Sequence, residues 1–151
     1  MNRDNIGRWA KDLRQESPRS PREMLGGYVI LARSIDKCRA ALLEINGEYN
    51  FWPCSLSSNL FPFVGMEHGQ LQEFVATGAS DDEVAAWFQD KSQIKDPLEI
   101  VRWNNQMRDM RLSDMPVEAQ EYIENYAQQY LPKHRPMYVW FDMFDLEEGR
   151  L

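Results

Sequence analysis

An aspartate and an arginine three residues apart, Asp36 and Arg39, are the side chains with the most chemistry to account for. Turning about 100° per residue from Leu25, the apolar arc of this stretch holds Tyr28, Val29, Leu31, Ala32, Ile35, Leu42 and Leu43, and both charges fall inside it. A charge aimed at a core needs a partner, because an unpaired one carries a large desolvation cost. The first expectation is therefore a buried or half-buried ion pair at i,i+3 spacing, extended by Asn104, Arg108 or Asp145 from other helices. The functional alternative is a polar pocket floor on which Arg39 binds an anionic group and Asp36 orients it, with Tyr28, Trp87 and Trp103 as aromatic walls.

Other candidates for chemistry are weaker. Cys38 has no identifiable histidine base, and a mid-helix position lacks the amide field that activates a thiol at a helix start. Cys38 and Cys54 lie too far apart for a Cys-x-x-Cys or zinc-ligand spacing, so two reduced thiols are expected. His68 and His134 are isolated, with no second ligand on a shared helical face. Asp142, Asp145 and Glu148 recur at three-residue spacing, but their apolar neighbours fit a buried terminal helix whose polar edge carries the carboxylates. No Gly-x-Ser-x-Gly elbow is present. The residues thus suggest no catalytic group, no metal site and no cofactor.

These side chains require helices to position them. Ser20-Pro21-Arg22-Glu23 and Ser80-Asp81-Asp82-Glu83 read as capping boxes, and Asp96-Pro97-Leu98-Glu99 as an Asp-capped start with proline at the first position. Gly47 and Gly78 sit where a left-handed residue closes a helix. Helices are expected near 21–45, 67–77, 81–91, 97–112, 116–130 and 137–147, with a further short one before Ser17. Between Gly47 and Gly65 the helical period lapses, and Trp52-Pro53 and the apolar run Leu60-Phe61-Pro62-Phe63-Val64 suggest an ordered extended strap, roughly 48–64. The expected architecture is all-α: one compact domain, 1–151, of about six helices with that strap, residues 1–19 forming a loosely packed N-terminal arm.

Composition agrees with a globular chain. The 151 residues are 43% hydrophobic and 27% charged, with five Trp, seven Phe and six Tyr, a balance suited to one packed domain. Residues 1–39 hold nine Lys/Arg against five Asp/Glu, net +4, and the remainder eight against nineteen, net −11. Acidity of this kind disfavours nucleic acid and anionic membrane as partners. The segment Phe74 to Trp87 has the spacing of a helix-turn-helix, yet its reading helix would carry Asp81, Asp82, Glu83 and Asp90 against Lys91 alone. No apolar stretch is long enough to span a bilayer or form a signal core, which suggests a cytoplasmic protein.

The run Ser20-Pro21-Arg22-Glu23-Met24-Leu25-Gly26-Gly27-Tyr28-Val29, followed by Ile35-Asp36-Lys37-Cys38-Arg39, resembles a bacterial family known as domain of unknown function 5069. Asn46-Gly47-Glu48-Tyr49, Gly78-Ala79-Ser80-Asp81-Asp82-Glu83-Val84 with Trp87, and Trp140-Phe141-Asp142 with Asp145-Leu146 continue the resemblance in order. It implies a small single-domain bacterial protein and brings no activity, cofactor or catalytic residue with it. The chain departs from the family pattern at Trp52-Pro53-Cys54, so nothing about Cys54 is carried over. The functional expectation is a non-catalytic binding or interaction domain with a protein partner or small anionic ligand. The alternative is a small-molecule enzyme or sensor with its pocket around Asp36 and Arg39.

Overall fold

The structure, a computed structural model, describes all residues 1–151, and its regular structure is helical throughout. Eight α-helices follow in order: α1 (Arg3–Trp9), α2 (Leu31–Leu42), α3 (Ser57–Val64), α4 (His68–Val75), α5 (Asp81–Lys91), α6 (Pro97–Arg108), α7 (Val117–Tyr130) and α8 (Trp140–Glu147). A 3-10 turn at Leu112–Asp114 precedes α7. The only β-type pairings are two isolated bridges, Leu25 with Tyr28 and Arg111 with Val139. No helix is long and apolar enough to cross a membrane. The chain divides into two compact units, Met1–Val101 and Arg102–Leu151, the division falling within α6.

In the first unit α2 is the central element, buried at every residue from Leu31 to Ala40, with α1, α3 and α4 packed on it and α5 packed on α4. Its start differs from the expected helix beginning at residue 21. Ser20 makes only a single turn, accepting the amides of Arg22 at its hydroxyl and of Glu23 at its carbonyl. The chain then reverses at Gly26-Gly27, whose φ values of +59° and +87° place both in the left-handed region, while Leu25 and Tyr28 exchange two backbone hydrogen bonds of 3.0 Å. That is the geometry of a tight hairpin turn with two positive-φ centres, which two adjacent glycines adopt without the Cβ penalty. The helix starts only at Leu31, and its end also differs: the left-handed residue that closes it is Glu44 (φ +59°), with Ile45 N–H donating to Ala40 O and Glu44 N–H to Ala41 O, while Gly47 (φ +56°) is left-handed in the turn beyond.

The expected extended strap proves half helical. Residues 57–64 form α3, with Pro62 inside it and Leu60, Phe61 and Val64 buried. At its start Ser58 donates its N–H and hydroxyl to Cys54 O, and Gly65 (φ +70°) closes the helix. Residues 1–19 contain α1 and bury Ile6 and Leu13, Leu13 N–H donating to Ile45 O. The box at Ser80 forms as the sequence indicates, with Glu83 N–H on Ser80 Oγ at 3.2 Å and Ser80 N–H on Glu83 Oε1 at 3.1 Å. Asp96 likewise accepts Leu98 N–H at 2.9 Å.

The second unit buries Trp103, Met107, Ile123, Leu131, Trp140, Phe141, Met143 and Leu146. Within it Asp142 accepts the amides of Tyr138 and Val139 at the start of α8, and Asp145 and Glu148 both pair with Arg150.

Candidate functional site

Because α2 is buried all round, its polar side chains need partners, and two groups of them lie on opposite sides. At roughly 100° per residue, Asp36 and Arg39 project on one side and Ser34 and Lys37 on the other.

On the first side Asp36 and Arg39 are 1% and 2% exposed, yet they are not partners of each other as the i,i+3 expectation had it. Arg19 stands between them. It donates Nη2 to Asp36 Oδ1 at 2.9 Å, Nε and its backbone N–H to Asp36 Oδ2, and Nη1 to Asp81 Oδ2 at 2.8 Å. Arg39 closes the chain of charges, donating Nη1 to Asp81 Oδ1 at 2.8 Å and Nη2 to Ala79 O at 3.0 Å. Burial opposes the charge on Asp81, but the hydrogen bonds and fields of Arg19 and Arg39 outweigh it and hold the carboxyl below its usual range. The four groups carry two positive and two negative charges, a self-neutralised cluster with its donors directed inward.

Each expected aromatic wall has surroundings of its own. Tyr28 is buried, shares a 3.1 Å hydrogen bond between its hydroxyl and Ser92 Oγ, and meets Phe88 edge-on. Trp87 stacks on Phe74 with ring centres 4.8 Å apart. Trp103 is a buried residue of the second unit.

The second side of α2 carries an arrangement that sequence reasoning missed. Lys37, 6% exposed, directs Nζ at the Sγ of half-buried Cys54, 2.9 Å away. Ser57, the first residue of α3, supplies both its N–H and its hydroxyl to the same sulfur. Ser57 Oγ lies 2.9 Å from Ser34 Oγ, one turn of α2 before Lys37. Where the Ser57 hydroxyl donates to sulfur, its proton is committed and Ser34 is the donor between the two serines. Burial alone would raise the Cys54 pKa, but the Lys37 charge and hydrogen bond, aided by Ser57, prevail and lower it. Cys38, one residue along α2, shows the opposite outcome: fully buried, it is pushed up to about 12, the Arg39 charge offsetting little.

Lys37 and Cys54 are seventeen positions apart, and no spacing rule connects them. The one local signal was a cysteine followed by Ser-x-Ser-Ser, the polar run of a helix start, hidden by reading this segment as extended. A thiol whose pKa is lowered beside a cation, just before a helix N-terminus and within reach of solvent, has the surroundings that favour a nucleophilic sulfur. Each unit has a cavity lined by other residues: one near 690 Å³ in the first, bounded by Asn2, Asp4, Glu73 and Thr77, and one near 440 Å³ in the second, between Leu112, Leu131, Arg135 and Met137.

Comparison with known proteins gives one match of wide extent: the family described as Domain of unknown function (DUF5069) matches residues 15–150. No curated protein matches the chain.

Proposed function

We propose that this chain, which belongs to that family of domains of unknown function, is a small-molecule sensor whose chemistry is carried by the Cys54 thiolate of its first unit. The observation behind this reading is the 2.9 Å contact between Lys37 Nζ and Cys54 Sγ on a half-buried sulfur that Ser57 also serves with two donors. The expected reactants are small soft electrophiles and hydroperoxides, which a thiolate attacks and a thiol does not. A pocket for an anion at Asp36 and Arg39 has less support, since both terminal nitrogens of Arg39 are spent on Asp81 and Ala79.

Alkylation with iodoacetamide, followed by mass spectrometry across a pH series, tests this directly, and Cys38 serves as the internal reference. Cys54 should label with a half-maximal rate below the ordinary thiol value of about 8.5, while Cys38 stays unlabelled until denaturant is added. The Lys37→Met variant should move the Cys54 profile to higher pH and slow labelling at neutral pH severalfold. An ordinary thiol profile in the wild type, unchanged in Lys37→Met, would reject the reading.

A protein-interaction role is favoured by one feature of the second unit. Helix α7 displays Tyr122, Tyr126 and Tyr130 at every fourth residue, with Tyr122 65% and Tyr130 64% exposed and Val117 73% exposed nearby in sequence. Exposed tyrosines in a row suit a contact surface, because each offers large area at low entropic cost. If the partner is a second copy, sedimentation velocity should show concentration-dependent association that Tyr122→Ser with Tyr130→Ser abolishes. Monomer at every concentration in both proteins would remove self-association. The acidic first turn of α5, Asp81 to Glu83, argues against nucleic acid as a partner.

A further inference from the structure

We infer that oxidised Cys54 is captured by Lys37 as an intramolecular sulfenamide, so that the pair forms a reversible covalent switch joining α2 to the segment leading into α3. This inference rests on the thiolate reading above and adds the identity of its product.

The geometry supplies both reacting atoms and the direction of each attack. Sulfur is half-buried and lysine is buried, so an oxidant arrives from the solvent side while the amine waits on the protein side, 2.9 Å away. In the first step the thiolate attacks the distal oxygen of a hydroperoxide. The O–O bond breaks, sulfur is oxidised by two electrons to the sulfenic acid, and the departing alkoxide or hydroxide takes a proton from the Lys37 ammonium. Oxidation thereby removes the negative charge on the sulfur beside this buried nitrogen, and burial favours the neutral amine that results. In the second step the amine attacks sulfur from the side opposite the new S–O bond. An S–N bond forms, the S–O bond breaks, and hydroxide leaves with a proton from nitrogen as water. Overall, one thiol, one amine and one hydroperoxide give one sulfenamide, one alcohol or water, and one further water.

Such a link also protects the site. A sulfenic acid left in place is open to irreversible sulfinic and sulfonic oxidation, whereas a sulfenamide is returned to thiol and amine by external thiols. Cys38 cannot intercept the sulfenic acid as readily as Lys37, because its thiol is fully buried and protonated.

The test is hydrogen peroxide treatment of the full chain at neutral pH, read by intact mass and tryptic mapping. The wild type should lose two hydrogen atoms in mass, trypsin should cease to cut after Lys37, and the peptides bearing Lys37 and Cys54 should migrate as one. Dithiothreitol should restore all three. Lys37→Arg keeps a cation beside sulfur but removes the amine; it should give a dimedone-trapped sulfenic acid at Cys54, further oxidation to sulfinic acid, and no link. Dimedone-reactive Cys54 in the wild type with Lys37 still cleaved by trypsin would overturn the cross-link and leave the thiolate reading standing. Cys54 unmodified by peroxide, together with an ordinary alkylation profile, would overturn both.

Discussion

Replacing Arg39 with leucine is expected to destabilise the protein by about 3–5 kcal/mol, measured by urea unfolding, because one partner of a buried charge network is removed and the other is left. Arg39 is among the largest fully buried side chains, and it is a donor to both Asp81 and the Ala79 carbonyl. Asp36→Leu should fall in the same range, since Asp36 accepts three hydrogen bonds from Arg19. The geometry also dictates which pairs couple. A double-mutant cycle on Arg19 and Asp36, or on Arg39 and Asp81, should show an interaction of about 0.5–3 kcal/mol. The cycle on Asp36 and Arg39 should show less, because these two communicate only through Arg19 and Asp81. Losses within about 0.5 kcal/mol for both single variants, the range of exposed substitutions, would mean the network does not hold the fold.

The same network sets an acid dependence. In the folded state Asp81 titrates below its ordinary value of 3.8. Its contribution is thus fully present above that value and is lost as pH falls through the lower folded value. Arg39→Leu removes one of the two cations responsible, so its stability should decline less steeply with acidification below about pH 4 than that of the wild type.

Gly47→Ala should cost about 2–5 kcal/mol, combining a disfavoured backbone conformation with overpacking against an immobile neighbour. Gly47 has φ +56°, and an added Cβ would stand 2.7 Å from the Leu13 carbonyl oxygen and 3.3 Å from its carbon. These are main-chain atoms, held in place by the Leu13 N–H bond to Ile45 O, and they cannot rotate away. Gly27→Ala is the control. Its φ is +87° but nothing lies within 4 Å of the added carbon, so it should lose only the conformational part, about 1–2 kcal/mol. Equal losses at the two positions would show that the approach of Leu13 to Gly47 contributes nothing.

Much of the helical framework was legible from the chain alone. The starts at Ser80 and Asp96 were correctly placed because a capping box is completed within four residues, and tertiary packing has little to add. The inward direction of Asp36 and Arg39 was legible for the same reason: helical phase is a local property, and both proved buried. Residues 21–30 were misread because Ser-Pro-x-Glu opens a single turn as well as a helix, and Gly26-Gly27 favours the hairpin turn. At Ile30 the surroundings overrule local preference altogether, a β-branched residue held at φ +74° and fully buried where α2 begins.

By itself, then, the sequence determined that the chain is helical, where several helices begin, and that charged side chains face its interior, since each of these depends on neighbours within about one turn. Tertiary structure alone decided which groups satisfy those charges. Arg19 reaches Asp36 across seventeen positions and Asp81 across sixty-two, Arg39 reaches Asp81 across forty-two, and Lys37 reaches Cys54 across seventeen. A buried charge specifies that it must have a partner, through the cost of desolvation, but that cost is the same whichever residue supplies the partner. The choice belongs to the packing of α2, α3 and α5, and with it the contrast between Cys38, sealed and inert, and Cys54, drawn into the field of a lysine.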